Sequence, residues 1–251
     1  METDYLKKYR MTFDYHTHTV FSHGKGTIED NVKEAMKKGL KAIAISDHGP
    51  GHLTYGVKRR DFPVMREEIQ RLNDKYKDIN IFLSVEANIT NRYNYLDVTK
   101  KEFNQFDFVI AGYHYGITHG YCIGNWLENH VDGLDLIGKK LLIKNTDMTI
   151  SALHENDIKI LTHPGDKGRF DIGAIAKACE ETNTLMEIST WHTHLTVDEI
   201  KLSSLYDVKY IISSDAHTPN RVGSFLGGVK RAIQAGIDMD RIVNIEENIE
   251  R

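Results

Sequence analysis

The chain has 251 residues with 32 basic and 36 acidic side chains and a formal charge of -4, so it offers no broad positive field for a polyanion and disfavours a nucleic-acid binder. Its two cysteines, Cys122 and Cys179, stand far apart and form no CxxC motif, which argues against a disulfide framework or a thiolate zinc site and fits a reducing cytoplasm. The charged start METDYLKKYRMTFDY lacks the apolar core of a signal peptide and no 18 apolar residues run together, so a cytoplasmic protein, with no membrane partner, is expected.

Short apolar runs alternate with amphipathic segments along the chain. A strand over 11–16 (MTFDYH) precedes a helix in TIEDNVKEAMKKGL, with Thr27 as its N-cap and Gly39 as its stop. A strand over 41–46 (KAIAIS) follows, then a helix in DFPVMREEIQRLNDKY and strands over 79–86 (INIFLSVE) and 106–114 (FDFVIAGYH). Residues 116–151 are less regular, and ENHVDGLDLIGKKLLIK reads as one helix interrupted by glycines. The remaining strands cover 158–163, 184–189 and 208–215, with helices in DIGAIAKACEET, TVDEIKLSSLY and NRVGSFLGGVKRAIQAGI. Seven such units give the α/β class and a closed or nearly closed (β/α) barrel, with an open doubly wound sheet as the alternative. Residues 1–251 are expected to form one domain, with about 116–151 as a helical excursion too short to bury a core of its own.

Thirteen histidines stand out, more for their placement than for their number. Strand ends carry His16 and His18, then Asp47-His48-Gly49, Glu86, His114, His163-Pro164-Gly165 and Asp215-Ala216-His217. In an α/β barrel all these ends open on one rim, where sites of this architecture are built. Imidazole and carboxylate suit zinc, iron or manganese, and eight or nine such groups exceed the needs of one tetrahedral ion. Two or three divalent ions are therefore expected, with Glu86 as a bridge. His130 and His154 fall on predicted helix and are expected to face solvent. His192 and His194, after strand six, reach the same rim and either contact substrate or lie in an exposed loop.

These motifs, His16-Thr17-His18, Asp47-His48-Gly49-Pro50, Glu86-Ala87-Asn88-Ile89, His114, His163-Pro164-Gly165 and Asp215-Ala216-His217, resemble those of the PHP superfamily, named for polymerase and histidinol phosphatase. The resemblance runs from about Phe13 past His217 and is nearest to the stand-alone bacterial phosphoesterases. It implies a distorted, TIM-like (β/α)7 barrel with a trinuclear metal site at the C-terminal rim, usually zinc, sometimes manganese or iron. Carried over, His16, His18, Glu86 and Asp215 hold one ion, Glu86, His114 and His163 a second, and His23, His48 and His217 a third. The step from His18 to His23 is about one residue shorter than the family pattern.

The expected reaction is hydrolysis of small-molecule phosphate esters by a metal-bound hydroxide, with histidinol phosphate as a candidate substrate. Glu86, Asp215 and His217 are the catalytic candidates. Phosphate binding falls to Arg169, then Lys167, in the loop after His163, because a guanidinium can clamp two oxygens; His192 and His194 are further substrate-binding candidates. Three rivals stand: a nuclease or phosphodiesterase on short nucleotides, an amidohydrolase, and a non-catalytic metal-stabilised interaction module.

Overall fold

The computed structural model describes residues 8–248. Strand β1 (Tyr9–Met11) pairs antiparallel with β10 (Ile245–Glu247), a pairing of the two chain ends that local pattern does not announce. Strands β2 (Phe13–Asp14), β3 (Ala42–Ile45) and β4 (Asn80–Leu83) form a parallel sheet of three. Strands β5 (Glu86–Asn88), β6 (Val109–Gly112), β7 (Ile158–Leu161), β8 (Leu185–Ser189) and β9 (Tyr210–Ser213) form a parallel sheet of five. Two isolated parallel bridges link the two sheets: Thr17 to Ala216, each just beyond a strand end, and His48, beyond β3, to Glu86 at the start of β5.

The expected strand over 79–86 divides at Ser84 and Val85. The Ser84 and Glu86 amides still donate to Ile45 and Asp47, while the Val85 carbonyl already accepts from Ile110. The chain changes sheets there, and Glu86 emerges at the junction.

Helices α1 (Ile28–Lys37), α2 (Phe62–Lys75), α3 (Cys122–His130), α4 (Asp135–Glu155), α5 (Ile172–Thr182), α6 (Val197–Ser203) and α7 (Leu226–Ala235) connect the strands. Thr27 caps α1: its hydroxyl accepts from the Asp30 amide, and the Asp30 carboxylate accepts from the Thr27 amide. The single glycine-interrupted helix expected within 116–151 is two helices instead. Val131 is extended and Gly133 takes φ +84° between them, a left-handed value that suits glycine. A buried reciprocal amide pair, Asn125 with Asn145, then ties α3 to α4.

Strand β3 is buried along its whole length, as a parallel strand covered on both faces must be. Inside the strands, Ile110, Ile160 and Ile211 form a separate apolar layer with Phe13, Tyr15, Phe108 and Leu185. No helix among the described residues is long and apolar enough to cross a membrane.

Candidate metal centre

Two of the expected carboxylates, Glu86 and Asp215, each approach the imidazole pair His16 and His18. His16 Nε2 lies 3.1 Å from His18 Nε2, 3.3 Å from Glu86 Oε2 and 3.6 Å from Asp215 Oδ1. His18 Nε2 lies 3.1 Å from Asp215 Oδ1 and 3.6 Å from Glu86 Oε2. Tetrahedral ligands about 2.0–2.1 Å from an ion are separated by about 3.3–3.4 Å, so these edges fit one zinc-sized cation. All four residues are buried.

Glu86 reaches further with its other oxygen. Its Oε1 is 2.8 Å from His163 Nε2 and 3.3 Å from His114 Nε2, so one carboxylate faces two ligand groups. Gly112, two residues before His114, permits this approach: a Cβ there would meet Thr162 Oγ1, His163 Cε1 at 2.9 Å and Glu86 Oε1 at 3.0 Å. A third grouping brings nitrogens of His18, His48 and His217 within 4.8 Å of one another. His23 joins it through its ring, 4.8 Å from that of His48 and 4.2 Å from that of His217.

Several buried atoms of the cluster, Glu86 Oε2, Asp215 Oδ1, His114 Nε2, His48 Nδ1 and His163 Nδ1, make no hydrogen bond, although His48 Nδ1 and Glu86 Oε2 stand 2.9 Å apart. An orphaned buried polar atom costs about 1–3 kcal/mol, and a cluster of them on lone-pair donors fits cations. Charge states agree with that fit for most of the cluster; His16 is the exception, since burial opposes its charge but Glu86, Glu187 and Asp215 raise it well above the ordinary imidazole value. Burial pushes the His114 imidazole down to about 4 and His23 to about 3, and lowers His18 and His217 as well, leaving neutral nitrogens. Burial alone would raise the two carboxyls, but His16 and His114 hold Glu86, and His16, His18 and His192 hold Asp215, well below the usual range. His163 and Asp215 both adopt positive φ, +29° and +48°, strain of the kind that collects at functional sites.

Several supports escaped the sequence reading. Glu187 Oε1 accepts from His16 Nδ1 at 2.7 Å, and its Oε2 accepts from the His163 amide at 2.8 Å. That contact fixes the proton on His16 Nδ1 and frees Nε2, the arrangement found behind metal-ligating histidines. A charge inside the apolar strand LMEIS was the available signal. Asn88 Oδ1 accepts from His114 Nδ1 at 2.9 Å, and Asp97 in turn holds Asn88. Asp47 accepts from the Thr19 amide and hydroxyl, bracing the loop after His18.

The substrate-binding candidates separate. His192 joins the site, with Nδ1 3.1 Å from Asp166 and Nε2 3.2 Å from Asp215; burial opposes its charge, but the two carboxylates raise its pKa to about 9. Lys167 lines the cleft and pairs with Asp166 at 2.8 Å. Arg169 does not line it: its guanidinium is held by Glu128 at 2.5 Å, so the preference for Arg169 over Lys167 is reversed by the placement. His194 turns to Glu199, 3.0 Å away at the start of α6, and is also absent from the lining. The cleft itself encloses about 200 Å³ between His23, His48, His114, Lys167, Trp191 and His192.

The family model described as PHP domain matches residues 14–190. A probable phosphatase of Thermoanaerobacter sp. (strain X514) is 29% identical, over 94% of this chain and 91% of its own length. A probable phosphatase of Tolumonas auensis is 30% identical over 72% of this chain and 64% of its own. Among solved structures, the histidinol phosphate phosphatase of Lactococcus lactis, complexed with zinc, L-histidinol and phosphate, superposes with a TM-score of 0.60 at 16% identity, covering 91% of this chain and 95% of that one. The hisK chain of Listeria monocytogenes gives 0.67 at 15% identity, covering 84% and 97%.

Proposed function

The chain belongs to the PHP domain family, and from that premise we propose that it is a metal-dependent phosphatase of small phosphate esters. The buried cluster of His16, His18, Glu86 and Asp215, in which Glu86 Oε2 and Asp215 Oδ1 make no hydrogen bond, is the observation that carries the reading. In this reading His16, His18, Glu86 and Asp215 hold one ion, Glu86, His114 and His163 a second, and His23, His48 and His217 a third. Zinc is favoured, because the Lactococcus lactis structure contains it. The two sheets and their two bridges are read as a distorted seven-unit barrel. The whole chain is read as one PHP unit, with residues 116–151 as a helical excursion tied to the site through Tyr113 and Tyr115.

Divalent ions bound at this cluster supply positive charge to the phosphoryl oxygens and acidify water near the phosphorus. The chain's own residues do the rest. Lys167, held by Asp166 at the cleft, places a cationic donor beside the phosphate oxygens, while His192, with both nitrogens on Asp166 and Asp215, adds positive charge to that side. Glu187 and Asn88 hold the His16 and His114 rings in place from behind, so little reorganisation is needed when substrate enters. The cleft is smaller than the roughly 300–1,000 Å³ of sites for drug-sized ligands, which favours a compact phosphomonoester over an oligonucleotide.

Histidinol phosphate heads the substrate candidates, since the Lactococcus lactis fold neighbour holds L-histidinol and phosphate. A panel of histidinol phosphate, alkyl and aryl phosphomonoesters, a dinucleotide and a short oligonucleotide tests the reading by phosphate release and strand cleavage. Phosphomonoesters should be turned over and the oligonucleotide left intact. Preferential cleavage of the oligonucleotide would overturn it.

A further inference from the structure

Helix α3 is turned inside out. Its apolar residues Ile123, Trp126 and Leu127, with Val131 one turn further, recur at helical spacing, yet all four are exposed, Ile123 at 79%. His130, stacked on Trp126 at 4.7 Å, is exposed as well. The side that faces the domain carries Asn125, paired with Asn145, and Glu128, which holds Arg169. Helix α4 runs antiparallel beside α3: a Cβ at Gly124 would meet Leu141 at 3.3 Å, and one at Gly138 would meet Glu128 at 2.8 Å. It adds Leu136, 77% exposed, Ile137 and Ile143 to the exposed side of the pair.

Seven of the sixteen large apolar residues exposed among the described residues thus fall between positions 123 and 143. Their several hundred Å² reach the size of the largest patches on monomers, about 300–600 Å², and match the apolar share of the about 800 Å² that each partner gives to a standard interface. The charges beside the patch indicate what covers it. Asp132 and Asp135 stand where α4 begins, and Lys139, Lys140 and Lys144 follow on its next turns, all exposed. A two-fold axis near Ile137 sets the acidic end of one copy against the lysines of the other, twice, so the surface complements itself as an isologous pair requires. An anionic membrane would instead be repelled by the two aspartates. We propose that the outer face of α3 and α4 is a two-fold dimer interface whose occupant is a second copy of this chain. Asn129 of α3 donates to the hydroxyl of Tyr115, a residue that lines the cleft, at 2.6 Å, so pairing at this face also steadies one wall of the cleft.

Sedimentation of the full chain over a wide concentration range, with thermal melts to establish that each variant is folded, tests the pairing. The wild type should form a concentration-dependent dimer, and Ile123→Glu combined with Leu136→Glu should weaken it by at least about 100-fold. Two charge reversals probe the geometry: Asp132→Lys with Asp135→Lys, and Lys139→Asp with Lys140→Asp. Each should pair weakly with itself, and an equimolar mixture of the two should recover a mixed dimer of near wild-type affinity. Should the apolar variant fail to fold, the mixing experiment still decides. A wild type that stays monomeric overturns the proposal, as do a trimer or other odd assembly, a dimer indifferent to the apolar substitutions, and a mixture that fails to pair. Binding of a monomer to phosphatidylglycerol vesicles, lost in the apolar variant, would give the face to a membrane and overturn it too.

Discussion

The two ends of the same parallel strands are built on opposite principles. Phe108 and Leu185, at the starts of β6 and β8, pack with Phe13 and Tyr15 of the first strand segment over the layer of Ile110, Ile160 and Ile211, with ring centroids 4.4 Å apart for Phe13 and Tyr15 and 5.1 Å for Tyr15 and Phe108. At the end where the strands finish, the space holds imidazoles and carboxylates that are just as buried. The aromatic end removes apolar surface from water and stabilises the fold at about 25 cal/mol per Å². The imidazole end does the reverse, since buried charge and orphaned donors cost free energy. A fold that stabilises itself at one end and bears such a cost at the other is organised around what the costly end binds.

Substitutions that exchange these properties sharpen the contrast. Glu86→Gln removes a carboxylate that faces His16 and His18 with one oxygen and His114 and His163 with the other, and phosphatase activity should fall by at least about 1,000-fold with loss of bound metal. Steady-state kinetics beside metal analysis checks this; a variant that keeps its metals and its rate would separate Glu86 from the chemistry. At the apolar end, Ile160→Ala should destabilise by about 2–5 kcal/mol through its cavity. The folded fraction should keep its kcat. Denaturant melts and activity measured below the transition read the two effects apart.

Glu187→Ala joins the ends, because the residue sits mid-strand and acts on the rim through His16. Metal affinity should drop about 10- to 100-fold and a chelator-competition titration would show it, whereas a pure loss of melting temperature at constant affinity would make Glu187 structural. Acid should also act on the imidazole end. In metal-free protein His114 is neutral with a pKa near 4 against an ordinary 6.5, so the unfolded chain binds the proton first as pH falls. Its contribution is complete above about 6.5 and is lost progressively towards 4, on the order of 2–3 kcal/mol. Melts between pH 7.5 and 4.5 should show this decline, and a flat profile would contradict the assignment. The smallest change is expected from Arg169→Ala, which should leave KM within about twofold because Glu128 already holds the guanidinium, while Lys167→Ala should raise KM several-fold.

The rim was the more legible end. Most ligand candidates stand at the end of an apolar run, so local pattern announces both the strand and the polar group that ends it, as with KAIAIS before Asp47-His48 and IKILTH at His163. What escaped depends on distant partners. Glu187 is assigned only by contacts to His16 and His163, residues 171 and 24 positions away. Arg169 looked free in its loop because Glu128, which neutralises it, belongs to a helix whose packing the sequence does not reveal. The break between β4 and β5 follows from a change of sheet partner, and the β1–β10 pair joins residues 236 apart. The split of the 116–151 segment lies in the backbone at Val131, which is extended, and Gly133, which is left-handed.

The most direct test of the central claim is hydrolysis of an aryl phosphate by protein of measured metal content, before chelation, after it, and after zinc, manganese or iron is returned. The account predicts that activity disappears with two to three bound ions and comes back with the restoring metal in the same proportion. Full turnover by the metal-free protein would contradict it, as would a fully loaded protein that leaves every phosphate ester intact.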